Sequence, residues 1–233
     1  MRRGAAAFPI AIYDPECRRC ARLAHYLDQV HAKHPAYHCR PVAPFGAMDA
    51  SLVIVGLAPG MHGANATGRP FTGDYAGKLL YATLYKFGLA TRPCSVSAKD
   101  GLRLRGTRIT NAVKCLPPAN KPLPSEIRNC NAYLAAELAT LPDGATVLAL
   151  GRVAHDATLR ALGVPTPRPK FAHGAVHLLE RGVRLFDSYH CSRQNTNTKR
   201  LTPAMFERVF TAIASYRGDA RDRSTGRAAA ATL

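Results

Sequence analysis

The stretch Ser51-Leu52-Val53-Ile54-Val55-Gly56 is a short, nearly continuous apolar run that ends in glycine. A run of this kind is typical of a strand buried in a parallel sheet. Residues 107–113 and 146–151 are predicted to be two further strands. Helices are predicted at residues 75–88, 125–141 and 152–162. Strands that alternate with such helices predict an α/β fold, a three-layer α/β/α sandwich around a short, mostly parallel sheet.

The length and composition favour a single domain with a polyanionic partner. Of the 233 residues 47% are hydrophobic, which is enough to bury a core, and we place the domain at residues 1–217. Residues 218–233 lack periodicity and are predicted to form a disordered basic tail, while residues 1–8 are expected to fray. Lys and Arg number 32 against 15 Asp and Glu, and the resulting charge of +17 predicts binding to a polyanion.

The N-terminal sequence favours a cytoplasmic location. The apolar stretch that follows Arg3 reaches only about Tyr13 and has no clear cleavage site beyond it, which is at the short limit for a signal peptide. The sequence also has no apolar run of about 18 residues, the length that a membrane-spanning helix needs.

The loop at residues 56–74 follows the first predicted strand, and ligands of open parallel sheets bind where such strands end. Its glycines do not have the spacing of a dinucleotide fingerprint or a P-loop. The backbone around Gly56, Ala58 and Gly60 can still approach a ligand closely, while Phe71 offers a flat face and Asp74 a carboxylate. The alternative is an ordinary glycine-rich loop with a buried Phe.

Four of the seven cysteines form a candidate metal site. An odd number of cysteines in a chain of this size favours reduced thiols over a disulfide scaffold. Cys17 and Cys20 form a C-x-x-C pair, and with Cys115 and Cys130 they offer four thiolates, which suit zinc or an iron–sulfur cluster. Only one close pair is present, whereas zinc ribbons usually have two, so the spacing favours iron–sulfur. A redox C-x-x-C with two buried cysteines is the alternative.

A third candidate segment is the polar loop at residues 189–200, which follows a predicted strand ending near Ser188. A lone histidine is more often structural than catalytic, but His190 lies at the expected mouth of the sheet beside residue types that bind phosphate. The candidate nucleic-acid contacts of this loop are Ser192, Arg193, Gln194, Asn195, Lys199 and Arg200.

Taken together, these loops resemble one family, the type-5 enzymes of the uracil-DNA glycosylase superfamily. The matching motifs are residues 56–60, 67–74, 111–122 and 189–196, which occur in the family's order and, with the Cys17/Cys20 pair, cover most of the chain. The resemblance implies a monomeric enzyme that flips uracil out of double-stranded DNA and hydrolyses its N-glycosidic bond. It also implies a 4Fe-4S cluster on Cys17, Cys20, Cys115 and Cys130.

The resemblance implies roles for individual residues as well. Asp74 matches the acidic residue that type-5 enzymes are thought to use, and His190 would stabilise the departing uracil anion. Asn111 occupies the uracil-reading position, Asn120 a motif position of catalytic or structural use, and Phe71 would stack on the base. Amides around Gly56, Ala58 and Gly60 would contact the base edge.

The sequence departs from better-known relatives at Leu57, where type-4 enzymes carry Glu. Leu57 cannot activate water, so we expect the leaving group to matter more than water activation, with tolerance of hypoxanthine or hydroxymethyluracil. The alternative function is a non-catalytic iron–sulfur protein that binds nucleic acid, which would leave Asp74 and His190 unexplained.

Overall fold

The computed structural model describes residues 12–230, with side chains described up to residue 217. Within this range one sheet has six strands in the order β1-β3-β2-β4-β6-β5. The strands are β1 (Phe45–Gly46), β2 (Leu52–Gly56), β3 (Thr107–Asn111), β4 (Thr146–Leu150), β5 (Val176–Leu178) and β6 (Arg184–Ser188). The four inner strands are parallel, and the two edge strands run antiparallel to their neighbours. The predicted α/β fold with a mostly parallel sheet is therefore confirmed.

The helices flank the sheet and include several that the sequence pattern did not indicate. They are α1 (Ala21–Lys33), α2 (Ala64–Thr67), α3 (Tyr75–Lys86), α4 (Pro124–Ala139), α5 (Arg152–Ala161), α6 (Arg193–Asn197) and α7 (Pro203–Ala230). The three helices predicted from apolar spacing are α3, α4 and α5. The polar loop at residues 189–200 contains the short helix α6, whose buried face is too small to leave a periodic apolar pattern.

The chain beyond residue 217 differs from the irregular tail that we predicted. Helix α7 continues to Ala230, so the backbone of residues 218–230 is helical. This segment is rich in Ala and Arg, which favour helix even without apolar periodicity. The domain limit at residue 217 stays a prediction, and the predicted fraying of residues 1–8 lies outside the described residues.

The core lies on both faces of the sheet. Leu52 and Ile54 of β2 pack with α3 and α7, while Val53 and Val55 pack with α4 and α5. Successive side chains of a strand point to opposite faces, so in a strand covered on both sides each residue must be apolar or find a buried partner. This explains the continuous run that begins at Leu52. Among the described residues, no helix has the length and apolarity needed to cross a membrane.

A buried charge network holds α4 against β3. Glu137 of α4 accepts hydrogen bonds from Arg108 Nε at 2.7 Å and Thr110 Oγ1 at 2.8 Å, and its Oε2 lies 3.2 Å from Lys114 Nζ. All four residues are buried, so each charge depends on its partners rather than on water. Arg108 also donates to Gly46 O at 2.6 Å, which ties the edge strand β1 to the same network.

Replacing Glu137 with Gln should destabilise the fold strongly. The change leaves Arg108 and Lys114 buried without a carboxylate, and breaking a buried pair in this way costs about 3–5 kcal/mol. Urea unfolding measures the loss in free energy of unfolding. The matched control is Glu207→Gln, which removes the exposed Lys86–Glu207 pair and should cost no more than about 1 kcal/mol. Equal effects of the two changes would contradict the prediction.

Candidate active site

Several of the predicted site residues meet at the carboxyl ends of β2 and β3. The parallel register pairs Gly56, the last residue of β2, with Asn111, the last residue of β3. A Cβ atom on Gly56 would lie 2.4 Å from Asn111 Oδ1 and 2.7 Å from Phe71 Cζ. Neither distance is possible for a real side chain, so glycine is required for these three residues to meet. From the sequence we expected the backbone at Gly56 to approach a ligand closely. In the structure, the groups that approach Gly56 closely are the side chains of Asn111 and Phe71.

Asn111 carries an unpaired polar atom at this place. Its side chain is 3% exposed, and among the described residues its Oδ1 atom has no hydrogen-bond partner. A buried acceptor without a partner costs free energy, and such atoms in a native protein call for an explanation. A ligand that donates a hydrogen bond to Oδ1 would provide one.

Phe71 forms one wall and is held by its surroundings. Its ring is buried and stacks on His190, with ring centroids 5.9 Å apart and planes inclined by 28°. The preceding residue, Pro70, accepts a hydrogen bond from Tyr81 OH at 2.8 Å, and the buried Arg69 bonds to Asp100 at 2.8 Å. These contacts hold Phe71 at a φ of 54°, in the left-handed region that a Phe seldom adopts.

Asp74 stands at the start of α3 and faces the glycine-rich loop. It is the N-cap of α3, and its Oδ1 accepts a hydrogen bond from Gly77 N at 2.8 Å. Its Oδ2 faces Gly60 and packs closely against Gly63. A Cβ on Gly63 would come within 2.6 Å of this atom, so Asp74 can lie there only because residue 63 has no side chain. Burial raises the pKa of the Asp74 carboxyl, and the backbone N–H groups of Gly77 and Ala76 partly oppose that rise.

His190 follows β6 and is neutral at ordinary pH. Burial lowers its pKa to about 4, so the ring keeps one N–H donor and one acceptor. Its carbonyl oxygen accepts a hydrogen bond from Asn195 Nδ2 at 2.8 Å, which ties it to α6. The next residue, Cys191, is fully buried, and its pKa is raised by burial and by the charge of Asp74. The chain after β6 therefore lies close to Asp74.

The remaining predicted site residues are more exposed. Asn120 ends a short turn with a φ of 55°, and within residues 12–217 its side chain forms no hydrogen bond. Ala58 is partly buried beside the cysteines. Ser192 caps α6 by accepting from Asn195 N at 3.4 Å. Arg193, Gln194, Lys199 and Arg200 are exposed.

Helix α6 contacts the start of α3 through a stacking pair of an exposed Arg and a partly buried Tyr. The Arg193 guanidinium carbon lies 5.1 Å from the centre of the Tyr75 ring, and Tyr75 directly follows Asp74. Arg200 lies over the ring of Tyr189, at 4.6 Å from its centre. Both cations remain at the surface, where they can also meet a polyanion. The partner Tyr75 was not predicted, because the sequence does not reveal which ring an arginine will cover.

The four predicted cysteines line one small cavity. Cys17 and Cys20 precede α1, whereas Cys115 follows β3 and Cys130 belongs to α4. Two N–H groups point at the sulfurs, namely Lys114 N, 3.2 Å from Cys130 Sγ, and Asn129 Nδ2, 3.6 Å from Cys20 Sγ.

The surroundings of this cavity suit a metal centre. Burial raises the pKa of the Cys20, Cys115 and Cys130 thiols, so these thiols would ionise only with a compensating positive charge. Four sulfur donors in an apolar cavity with N–H groups directed at them match the donor set of zinc or an iron–sulfur cluster.

A supporting residue that the sequence analysis missed is Gly77. A Cβ on Gly77 would lie 1.9 Å from Phe71 O, so α3 can approach the Phe71 turn only with glycine there. A glycine inside a predicted helix is itself a sign of close packing. The support from Tyr81 and from the Arg69–Asp100 pair left no comparable sign, because these contacts join residues far apart in the chain.

Comparison with known proteins identifies relatives of the whole domain. Residues 43–214 match the family described as the uracil DNA glycosylase superfamily. A type-5 uracil-DNA glycosylase of Thermus thermophilus is 46% identical, over 83% of this chain and 90% of that protein. A type-5 enzyme of Pyrobaculum aerophilum is 42% identical, over 87% and 89%. A type-4 enzyme of Archaeoglobus fulgidus is 32% identical, over 62% and 67%.

Replacing Gly77 with Ala should destabilise the protein, although the same change inside an exposed helix normally stabilises it by about 1 kcal/mol. The new methyl group must displace Phe71 or the start of α3, and overpacking of this kind costs about 1–3 kcal/mol. Urea unfolding gives the sign of the effect. A more stable Gly77→Ala variant would contradict the close approach of Gly77 to Phe71.

Proposed function

The chain belongs to the uracil-DNA glycosylase superfamily, and from this membership we propose that it is a DNA-repair enzyme that hydrolyses the N-glycosidic bond of uracil in DNA. The observation that carries the proposal is the cluster that Asn111, Phe71 and His190 form close to Asp74. A non-catalytic nucleic-acid-binding protein would have no use for an unpaired Asn111 acceptor beside an aromatic wall.

Access to the bond requires the nucleotide to leave the duplex. A stacked base hides its glycosidic bond, and flipping it out costs a few kcal/mol, less at a mismatch. The charge of +17 supports binding to the phosphate backbone of double-stranded DNA. Helix α6 contacts Tyr75, the residue that follows Asp74. This contact supports the proposal that Ser192, Arg193, Gln194 and Asn195 bind DNA beside the flipped nucleotide, with Lys199 and Arg200 near phosphates.

Recognition of uracil follows from the groups around Gly56. Phe71 would stack on the base, a contact worth about 1–3 kcal/mol in single-base systems. Uracil carries a hydrogen on N3, and Asn111 Oδ1 is an acceptor that lacks a partner among the described residues. Cytosine has no hydrogen on N3, so it would leave that acceptor unsatisfied. Backbone amides around Gly56, Ala58 and Gly60 would bind the remaining base edge.

The chemistry is assigned to Asp74 and His190. Cleavage of the bond leaves positive charge on the sugar and negative charge on uracil. His190 is a neutral donor at ordinary pH and would stabilise the anion at uracil O2. Asp74 would stabilise the sugar cation or orient the attacking water. Its carboxylate packs closely against Gly63, which accepts no side chain there. Leu57 has no polar group to contribute.

Three finer assignments complete the proposal. Asn120 is exposed in a left-handed turn, and its catalytic or structural role stays a prediction. Action on hypoxanthine or hydroxymethyluracil, and a monomeric state, also stay predictions. Action on the further bases is predicted because Leu57 has no polar group to activate water, so the rate should depend on the stability of the leaving base anion.

We further propose that Cys17, Cys20, Cys115 and Cys130 hold a 4Fe-4S cluster. The shared cavity, its apolar walls and the N–H donors from Lys114 and Asn129 support this proposal. When bound, the cluster would cross-link segments of the chain and would take no part in the reaction. It would join the segment before α1 to the chain after β3 and to α4.

The catalytic assignment predicts that Asp74→Asn and His190→Ala each slow uracil release, while Leu57→Ala leaves the chemical step largely intact. Removing one preorganised donor costs about 10²–10³ in rate. Asn at position 74 keeps a helix cap, so the fold should survive. The measurement is single-turnover release from a G·U duplex, with binding to an abasic-site analogue as the control. Full activity of Asp74→Asn together with an inactive Leu57→Ala would contradict the assignment.

The same experiment has a pH signature. Asp74 is required in its ionised form, so release by the wild type should fall as acid protonates it. Because burial raises the pKa of Asp74, the fall should begin at a higher pH than for an exposed aspartate. The residual activity of Asp74→Asn should lack this acid limb, and an unchanged pH profile would assign the limb to another group.

The cluster proposal predicts a brown protein with about four irons per chain. Cys115→Ser should lose both colour and solubility, because losing a ligand removes folding free energy. Cys94→Ser is the matched control, since Cys94 is exposed and outside the cavity. Iron analysis and the visible spectrum decide the result. A colourless wild type with one zinc bound by sulfur would overturn the assignment.

A further inference from the structure

A second cluster of titratable side chains lies outside the set of candidate active-site residues. It comprises His155 of α5, His177 of β5 and Asp187 of β6. One ligand atom from each residue lies within 4.8 Å of the other two. His155 and Asp187 are fully buried, and the side chain of His177 is 15% exposed. The mechanism proposed above uses none of the three.

The hydrogen-bond partners of His155 are unusual for a buried histidine. Its Nδ1 lies 2.8 Å from Asp187 Oδ1, and its Nε2 lies 2.9 Å from Pro169 O. A carboxylate and a carbonyl only accept, so both contacts can be hydrogen bonds only if the ring carries two protons and a positive charge. A metal ion at Nδ1 removes that requirement and leaves Nε2 to donate to Pro169 O. Metal-binding histidines usually donate their second N–H to such an oxygen.

The other two residues fit the same arrangement. His177 Nε2 lies 3.0 Å from Asp187 Oδ2, so both histidines approach one carboxylate, each at its own oxygen. The two imidazole rings are inclined by 71° with centroids 5.3 Å apart. Asp187 Oδ2 also accepts from Ala172 N at 3.3 Å, an outer contact that orients the carboxylate.

We propose that His155 Nδ1, His177 Nε2 and the Asp187 carboxylate form a binding site for Zn²⁺. Two imidazoles and a carboxylate are ligands that zinc prefers, at distances of about 2.0–2.2 Å. A tetrahedral ion at such distances holds its ligand atoms about 3.4 Å apart. Binding would therefore widen the His155 Nδ1–Asp187 Oδ1 and His177 Nε2–Asp187 Oδ2 separations from their present 2.8 and 3.0 Å. The partly exposed His177 provides the side from which the ion and a water as fourth ligand enter.

The ion would clamp the chain that leads to the active site. Asp187 is three residues before His190, and its backbone pairs with the segment before β5 through Gly174 N to Asp187 O at 2.9 Å and Asp187 N to Ala175 O at 3.0 Å. Binding of zinc would therefore fix α5, β5 and the end of β6 together. This role is structural, and it stands apart from the cysteine cavity and from the proposed uracil chemistry.

The test counts zinc in the full-length protein. Wild type is equilibrated with Zn²⁺ buffered by a competing chelator, bound zinc is measured by elemental analysis, and the ligands are identified by X-ray absorption at the zinc edge. The expected result is one zinc per chain with only nitrogen and oxygen ligands, together with a higher melting temperature than without zinc. Zinc bound by sulfur, or no bound zinc, would overturn the proposal.

The decisive variant is His177→Gln. A glutamine amide can still donate a hydrogen bond to Asp187, so the zinc-free fold should keep its melting temperature, but the amide is a poor zinc ligand. This variant should lose the zinc and the zinc-dependent rise in melting temperature. His25→Gln, at an exposed position on α1, is the control and should keep both. Equal zinc content in wild type and His177→Gln would overturn the site. Uracil release is measured separately, so failure of the zinc site leaves the proposed function standing.

Discussion

The candidate active site depends on the missing side chain at Gly56. The parallel register sets this residue beside Asn111, and the Phe71 ring reaches the same point. A methyl group there would overlap both, and β2 cannot move aside because helices cover it on both faces. The end of β3 and the loop after β2 thus meet at one place. The positions of Asp74, through α3, and of His190, through its stacking on Phe71, follow from that meeting.

The amino-acid sequence predicted the elements that bury an apolar pattern and missed those that do not. Strands β2 and β4 are buried on both faces, and their sequences are nearly continuous apolar runs. Strand β3 is equally buried but has one apolar residue, Ile109, and its Arg108 and Thr110 are satisfied by Glu137. Strand β1 has two residues and depends on Arg108, whose partner Glu137 lies 29 positions further along the chain. Helix α6 is defined by a serine cap within a polar loop. No local periodicity can report contacts of that kind.

For the candidate site, the sequence predicted the functional side chains but not the packing contacts that support them. The rule that ligands bind at the ends of parallel strands selected the loops that carry Asp74 and His190, and the family resemblance selected Asn111. The same rule cannot show that Gly77 makes room for Phe71 or that Arg69 pairs with Asp100, because both are packing relations between separate segments. The cysteines were grouped by chemistry and resemblance, and folding brings them to one cavity.

The helix cap at Asp74 restricts which residues this position accepts. Its Oδ1 atom satisfies an amide at the start of α3, a need that Asn, Ser or Thr could also meet. The proposed chemistry also requires a negative charge at this position. Glu would supply the charge, but its longer side chain is a poorer helix N-cap. Aspartate alone satisfies both. Position 74 should therefore be almost invariant in any library of variants selected for a folded and active protein, while its exposed neighbours on α3 vary freely.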